Sequence, residues 1–211
     1  MICNILWDLD GTLFDTYPAF TQAFALSLAD FGASAPGDKI AHLARQSFEL
    51  CIQTLAQENN LDSDPLAQAF FQHYQAIPLD QQPPFPYARE ICAYIVEAGG
   101  LNVLATHRSR ASILRFLKGH NLKEYFAGSV CTEDGYPPKP DPAMFEALIT
   151  QHDLERSTTL VVGDRDLDIQ AGIAAGLPTC AFGSGPFSVS SDHLITDFSQ
   201  LYHLLISQSQ S

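Results

Sequence analysis

Four stretches of the chain concentrate side chains able to do chemistry. Asp8-Leu9-Asp10-Gly11-Thr12 closes a short apolar run, Thr106-His107-Arg108 closes another, Lys139 stands among prolines, and Gly163-Asp164-Arg165-Asp166-Leu167-Asp168 follows a fourth apolar run. Carboxylates gathered at such turns raise one another's pKa unless a counter-charge intervenes, and an all-oxygen donor set favours a hard divalent cation, Mg²⁺ first. Two carboxylates at i and i+2 of an extended chain end point the same way, so Asp8 and Asp10 can serve one substrate. With Mg²⁺ shared between Asp8 and a phosphate oxygen, Asp8 is placed to attack phosphorus and form an aspartyl-phosphate. Asp10 is then placed to protonate the leaving oxygen and later to deprotonate water. Phosphoryl transfer demands charge neutralisation and positioning above all, which Lys139 and the Thr106 hydroxyl supply beside the cation.

The elements that must position these residues follow from periodicity. Ile2 to Trp7 is too short and too apolar for a helix and reads as a buried strand. From Asp15 to Ile77 the spacing is helical throughout, in three segments, the second after Pro36 and the third after Asp62-Ser63-Asp64-Pro65. Pro78 to Pro86 reads as a stiff linker. Thereafter helices at 87–98, 109–119, 141–152 and 167–175 alternate with strands at 101–105, 129–131, 159–162 and 178–182. That alternation predicts an α/β fold, a Rossmann-like doubly wound parallel sheet, with residues 1–14 and 81–211 as the core domain and 15–80 as an inserted all-helical domain. Ligands of such a sheet bind outside the carboxyl ends of its strands, where all four stretches fall. A polar tail, Ser207 to Ser211, is expected to fray.

Composition narrows the partners. In 211 residues, 24 Asp and Glu against 11 Lys and Arg leave a formal charge of −13, which disfavours nucleic acid and anionic membranes. No apolar run approaches the roughly 20 residues of a membrane helix, and no signal peptide is evident. Five scattered cysteines without a Cys-x-x-Cys pair read as reduced and mostly buried, consistent with the cytoplasm. A monomer or homodimer is expected.

In order and spacing, the four stretches closely resemble the motifs of the haloacid dehalogenase-like phosphohydrolase superfamily. The first motif, Asp-x-Asp-x-Thr, stands at 8–12; the Thr or Ser of the second matches Thr106; the Lys of the third matches Lys139; Gly-Asp-x-x-x-Asp matches Gly163 to Asp168. Ala171-Gly172 and Ala174-Ala175-Gly176 follow as in the phosphoglycolate-phosphatase-like branch, and the helical insertion matches that branch's cap in position and character. The resemblance implies that Asp8 and Asp164 hold Mg²⁺ by side chain and Asp10 by its backbone carbonyl, and that Asp168 supports a metal water or Lys139. The implied activity is a Mg²⁺-dependent phosphatase acting on a small phosphorylated metabolite such as phosphoglycolate, a sugar phosphate or a nucleotide, with the insertion as a substrate-selecting lid.

Other residues have plainer roles to weigh. Asp166 suits the first turn of a helix better than a metal. A positive residue at a helix start opposes the dipole unless an anion compensates, so His107 and Arg108 are candidates to contact the phosphate or a second acidic group, against pairing of Arg108 with a nearby carboxylate. Arg165 reads as a structural ion pair. A phosphomutase is the nearest enzymatic alternative, but the insertion offers only Lys39 and Arg45 as strong cations to reorient a bisphosphate. Dehalogenase and phosphonate-hydrolase chemistry leave Asp10 without a task. A phospho-acceptor receiver module, the non-enzymatic alternative, is shorter, lacks the insertion and carries its acceptor Asp mid-chain.

Overall fold

A computed structural model describes residues 1–209. In chain order, β1 (Asn4–Trp7) is followed by four helices, α1 (Tyr17–Asp30), α2 (Gly37–Gln46), α3 (Phe48–Asn59) and α4 (Ser63–Ala76). Then come α5 (Ala88–Glu97), β2 (Asn102–Ala105), α6 (Arg110–Gly119), β3 (Phe126–Val130), α7 (Ala143–His152), β4 (Thr159–Gly163), α8 (Asp166–Ala174), β5 (Thr179–Phe182), β6 (His193–Ile195) and α9 (Phe198–Ser209). The chain divides into two compact units, residues 1–14 with those from 84 onward, and residues 15–83.

The first unit is a six-stranded sheet in the order β3-β2-β1-β4-β5-β6, parallel at every pairing. This is a doubly wound α/β order whose direction reverses between β1 and β4, and the crevice at such a switch point is where ligands bind. Receiver-type sheets run 2-1-3-4-5 instead. Both faces are covered, which is why the strands are apolar runs rather than alternating ones. Leu6 lies in a core with Val103, Val130 and Val161 against Met144, Phe145 and Leu148 of α7 and Ala171 of α8. Its neighbour Trp7 points to the other face, edge-on to Phe198 of α9 at 5.5 Å. The one polar residue of β2, Asn102, is buried but satisfied: it accepts from Trp7 Nε1 at 2.9 Å and donates to the Cys92 carbonyl at 2.9 Å.

The second unit is all helical and has its own core, including Phe24, Leu28, Ile40, Cys51, Leu55, Leu66 and Phe70. It contains four helices where the periodicity predicts three segments. The break falls at Ser47, whose extended backbone ends α2 and whose hydroxyl accepts the Leu50 N–H at 2.9 Å to start α3. One serine between two apolar stretches is a weak signal. Within the proline-rich segment a short 3₁₀ turn occupies Leu79–Gln81, and buried Gln82 accepts from the Tyr74 hydroxyl.

Two further differences from the sequence reading lie in the α/β unit. β3 begins at Phe126, earlier than expected, and β6 and α9 extend the fold beyond the last expected strand. Part of the polar tail, through Ser209, is the end of α9 rather than frayed, while Gln210 and Ser211 lie outside the described residues. The five cysteines are free, four of them buried, and burial pushes the Cys51 and Cys180 thiols up to about 12. Among the described residues no helix is long and apolar enough to cross a membrane.

Candidate active site

β1 and β4 are neighbours, with Trp7 opposite Val162. Hydrogen bonding runs one residue past β1, where the Asp8 N–H donates to the Val162 carbonyl at 3.0 Å, and likewise past β2, where the Thr106 N–H donates to the Val130 carbonyl at 3.1 Å. Asp8 and Thr106 are therefore held as rigidly as strand residues, and both are buried. At Gly11 the chain turns with φ of 74°, a conformation glycine adopts without strain. At Gly163 a Cβ would lie 2.3 Å from the Cβ of Asp168. The glycine that ends β4 thus lets the first turn of α8 close against the strand and bring Asp168 beneath the site.

Lys139 is the centre of charge. Its ammonium is fully buried and donates to Asp8 Oδ1 at 2.5 Å, Asp168 Oδ1 at 2.5 Å and the Ala105 carbonyl at 3.1 Å. Burial opposes its charge, but Asp168 and Asp8 outweigh that and hold its pKa above the ordinary lysine value. Asp8 shows the converse: burial pushes its pKa up to about 6, aided by Asp168 and opposed by Lys139 and Arg165. Arg165 stands 4.0 Å from Asp8 Oδ1 and 3.8 Å from Asp168 Oδ2, a cation beside both carboxylates rather than an isolated ion pair. Asp168 Oδ2 also accepts the Arg165 N–H at 3.3 Å, so this carboxylate is largely committed to lysine and backbone.

Asp164 is half-buried and accepts from the Thr12 hydroxyl at 3.1 Å. Thr12, the last residue of the Asp-x-Asp-x-Thr stretch, thus orients the Asp164 carboxylate. Asp8, Asp164 and Asp168 each offer an oxygen within 4.8 Å of the others. The other oxygen of Asp8, Oδ2, is buried with no hydrogen-bond partner. A buried carboxylate oxygen without a donor is costly, and a divalent cation between Asp8 and Asp164 would satisfy it. The residues present therefore fit such an ion, with Asp168 the least available of the three.

Asp10 is directed elsewhere. Arg108 Nε donates to its two oxygens at 3.0 and 2.8 Å, Arg108 Nη2 donates at 2.6 Å, and Arg108 Nη1 donates to Ser112 at 2.8 Å. The guanidinium also lies 4.5 Å from the centre of the Phe116 ring. The anion that compensates Arg108 at the start of α6 is thus Asp10, the carboxylate-pairing alternative of the sequence reading. His107, expected beside a phosphate, uses Nε2 to accept the Lys139 backbone N–H at 3.1 Å. Asp166 accepts the Ser188 N–H at 3.0 Å from the first turn of α8 and stands outside the carboxylate group.

A family model described as haloacid dehalogenase-like hydrolase matches residues 5–182, most of the chain. The chain belongs to the haloacid dehalogenase-like hydrolases. Among its relatives in the family, a protein of Mesorhizobium japonicum named phosphoglycolate phosphatase is 30% identical over 190 residues, covering 86% of this chain and 82% of the relative. The solved structure of a hydrolase from Streptococcus pneumoniae TIGR4 is 29% identical with a TM-score of 0.68, covering 97% of this chain and 98% of that one. A structure from Haemophilus somnus 129PT, described as a predicted phosphoglycolate phosphatase, is alike in fold, with a TM-score of 0.84 at 18% identity over 97% of this chain and 98% of that one. The α/β unit of this haloacid dehalogenase-like chain carries all of the predicted site residues.

Proposed function

We propose that this hydrolase is a Mg²⁺-dependent phosphatase that cleaves a small phosphorylated metabolite through an aspartyl-phosphate on Asp8. Phosphoglycolate, the substrate in the names of its relatives, leads the candidates; sugar phosphates and nucleotides are the others. The observation that carries the reading is the state of Asp8. One of its oxygens is held by Lys139 and the other is buried without a donor, so the group is fixed in place with a lone pair uncommitted.

When bound, Mg²⁺ supplies Lewis-acid neutralisation of the phosphate charge. Asp8 and Asp164 would hold it by side chain and Asp10 by its backbone carbonyl, with Asp168 behind them. Asp8 attacks phosphorus while Lys139 and the Thr106 hydroxyl offset the charge on the phosphoryl oxygens. Asp10, once it carries a proton, gives it to the departing oxygen and regains one from the water that releases phosphate. For that, an arriving phosphate has to draw Arg108 away from Asp10, which gives Arg108 a place in substrate binding consistent with its present contact. The helical unit is assigned the choice of substrate.

The phosphomutase alternative needs cationic groups in the helical unit. Lys39 is paired there with Glu58 at 2.5 Å, and the Arg45 guanidinium lies 4.7 Å from the centre of the Tyr17 ring, which favours hydrolysis over phosphate reorientation. Turnover of a chromogenic phosphate ester with Mg²⁺, with EDTA, and by Asp8→Asn tests the reading. Activity in Mg²⁺ alone supports it. Full turnover in EDTA, or by Asp8→Asn, overturns it. A metabolite panel then orders the substrates.

A further inference from the structure

The loop from 131 to 142 carries Lys139 across open sequence between β3 and α7, yet its ammonium has to stay within hydrogen-bond reach of two carboxylates. The segment after β2 is what grips this loop. The Thr132 hydroxyl donates to the His107 carbonyl at 2.6 Å, and the Thr132 N–H donates to the Arg108 carbonyl at 3.3 Å. The Arg110 N–H donates to Glu133 at 3.0 Å, and the Arg110 guanidinium pairs with Asp134 at 2.5 Å. These contacts fix the near end of the loop. At the far end, beside Lys139 itself, the side-chain contact to the loop backbone is from His107, whose Nε2 accepts the Lys139 N–H at 3.1 Å.

We propose that His107 is a positioning residue, holding Lys139 in register through the bond from the Lys139 N–H to Nε2 rather than binding phosphate as a cation. The inference rests on the reading of Lys139 as the group that neutralises phosphoryl charge. A ring nitrogen that accepts a hydrogen bond carries no proton, so the ring is neutral with its proton on Nδ1. Its surroundings agree: burial of the ring, with Lys139 and Arg165 nearby, holds its pKa below the ordinary histidine value, and Asp168 and Asp10 oppose this only in part. The residue as a whole is nonetheless exposed, so the pairing of Nε2 rests on its contact with the Lys139 N–H. A positioned lysine and a displaced one differ in how well they meet the transition state, so the cost of losing the contact falls on kcat.

Geometry selects the test. The Gln Oε1 atom stands as many bonds from Cα as His Nε2 and can accept the same N–H, whereas Leu fills the space without an acceptor and Asn places its oxygen one atom short. With a chromogenic phosphate ester and saturating Mg²⁺, His107→Gln is expected to keep kcat within about threefold of wild type. His107→Leu and His107→Asn are expected to lose about tenfold in kcat with KM changed less than about twofold, the scale of one neutral hydrogen bond. Asp8→Asn in the same assay marks the floor. Independently of activity, long-range ¹H–¹⁵N correlation of the histidine ring should show the neutral Nδ1–H tautomer from pH 6.5 to 8. The Lys139 amide proton should keep its chemical shift in His107→Gln and move in His107→Leu. Gln falling as far as Leu, a KM-dominated loss, or an Nε2–H ring overturns the proposal. A wild type without turnover of any phosphate ester overturns the phosphatase reading instead, and the ring and amide signals still decide the hydrogen bond.

Discussion

The two units bury different kinds of residue. In the α/β unit, Asp8, Lys139 and Asp168 are buried and charged, a triad whose desolvation its mutual attraction repays only with close geometry. In the helical unit the buried polar residues are Thr16, Ser27 and Gln82, all uncharged, around a core of Phe24, Leu55 and Phe70. A folding unit has no need of buried ions to be stable, and well-packed apolar groups commonly serve stability as well or better. Ionic burial in one unit and apolar burial in the other therefore separates the part built for chemistry from the part built by packing.

Substitutions in each unit test that contrast. The largest expected effect is Asp8→Asn, which should remove on the order of 10⁴-fold or more of phosphatase turnover while leaving thermal stability within a few degrees; activity near wild type would remove the chemical meaning of the buried triad. Lys139→Met should cost about 3–5 kcal/mol in urea unfolding at pH 8, because it strands two buried carboxylates, and less at pH 5, where Asp8 takes up a proton. A comparable truncation in the helical unit, Phe70→Ala, should cost about 3–5 kcal/mol through a cavity, with no such pH dependence. Equal pH dependence in the two variants would erase the distinction between the units.

A smaller effect concerns the ion. The folded pKa of Asp8, about 6, stands above its ordinary 3.8, so its contribution to stability without metal is present below pH 4 and is lost as pH rises through 6. A divalent cation binds the ionised form, so the rise in Tm on adding Mg²⁺ should grow from pH 5 to pH 7.5 and vanish in Asp8→Asn, as read by scanning calorimetry. A Tm shift independent of pH would place the ion elsewhere. The smallest is Ser47→Ala, which removes the cap of α3 and should cost about 1 kcal/mol of unfolding free energy with turnover of the small ester unchanged.

Legibility in the sequence followed the range of the interactions involved. Short apolar runs ending in Asp8, Thr106 and Gly163 identified their strands because burial on both faces leaves no alternation to confuse the reading. The break at Ser47 escaped because a single hydroxyl interrupts two stretches of the same periodicity. β6 and α9 escaped because three residues at a sheet edge, then a polar-rich helix, carry little pattern. In the site, Asp8, Asp164, Lys139 and Thr106 stood out by type and spacing, whereas the direction of Asp10 toward Arg108 and of His107 toward Lys139 left no mark in either segment alone.

Local periodicity and residue type suffice to read the fold class, the helical insertion and the groups that end the strands. How those groups share their charges depends on contacts made only in the folded chain. Lys139 chose Asp8 and Asp168, Arg108 chose Asp10, and one oxygen of Asp8 was left without a donor. Such choices turn on distances of a few ångströms between residues about 30 to 130 positions apart, where burial multiplies every Coulomb interaction.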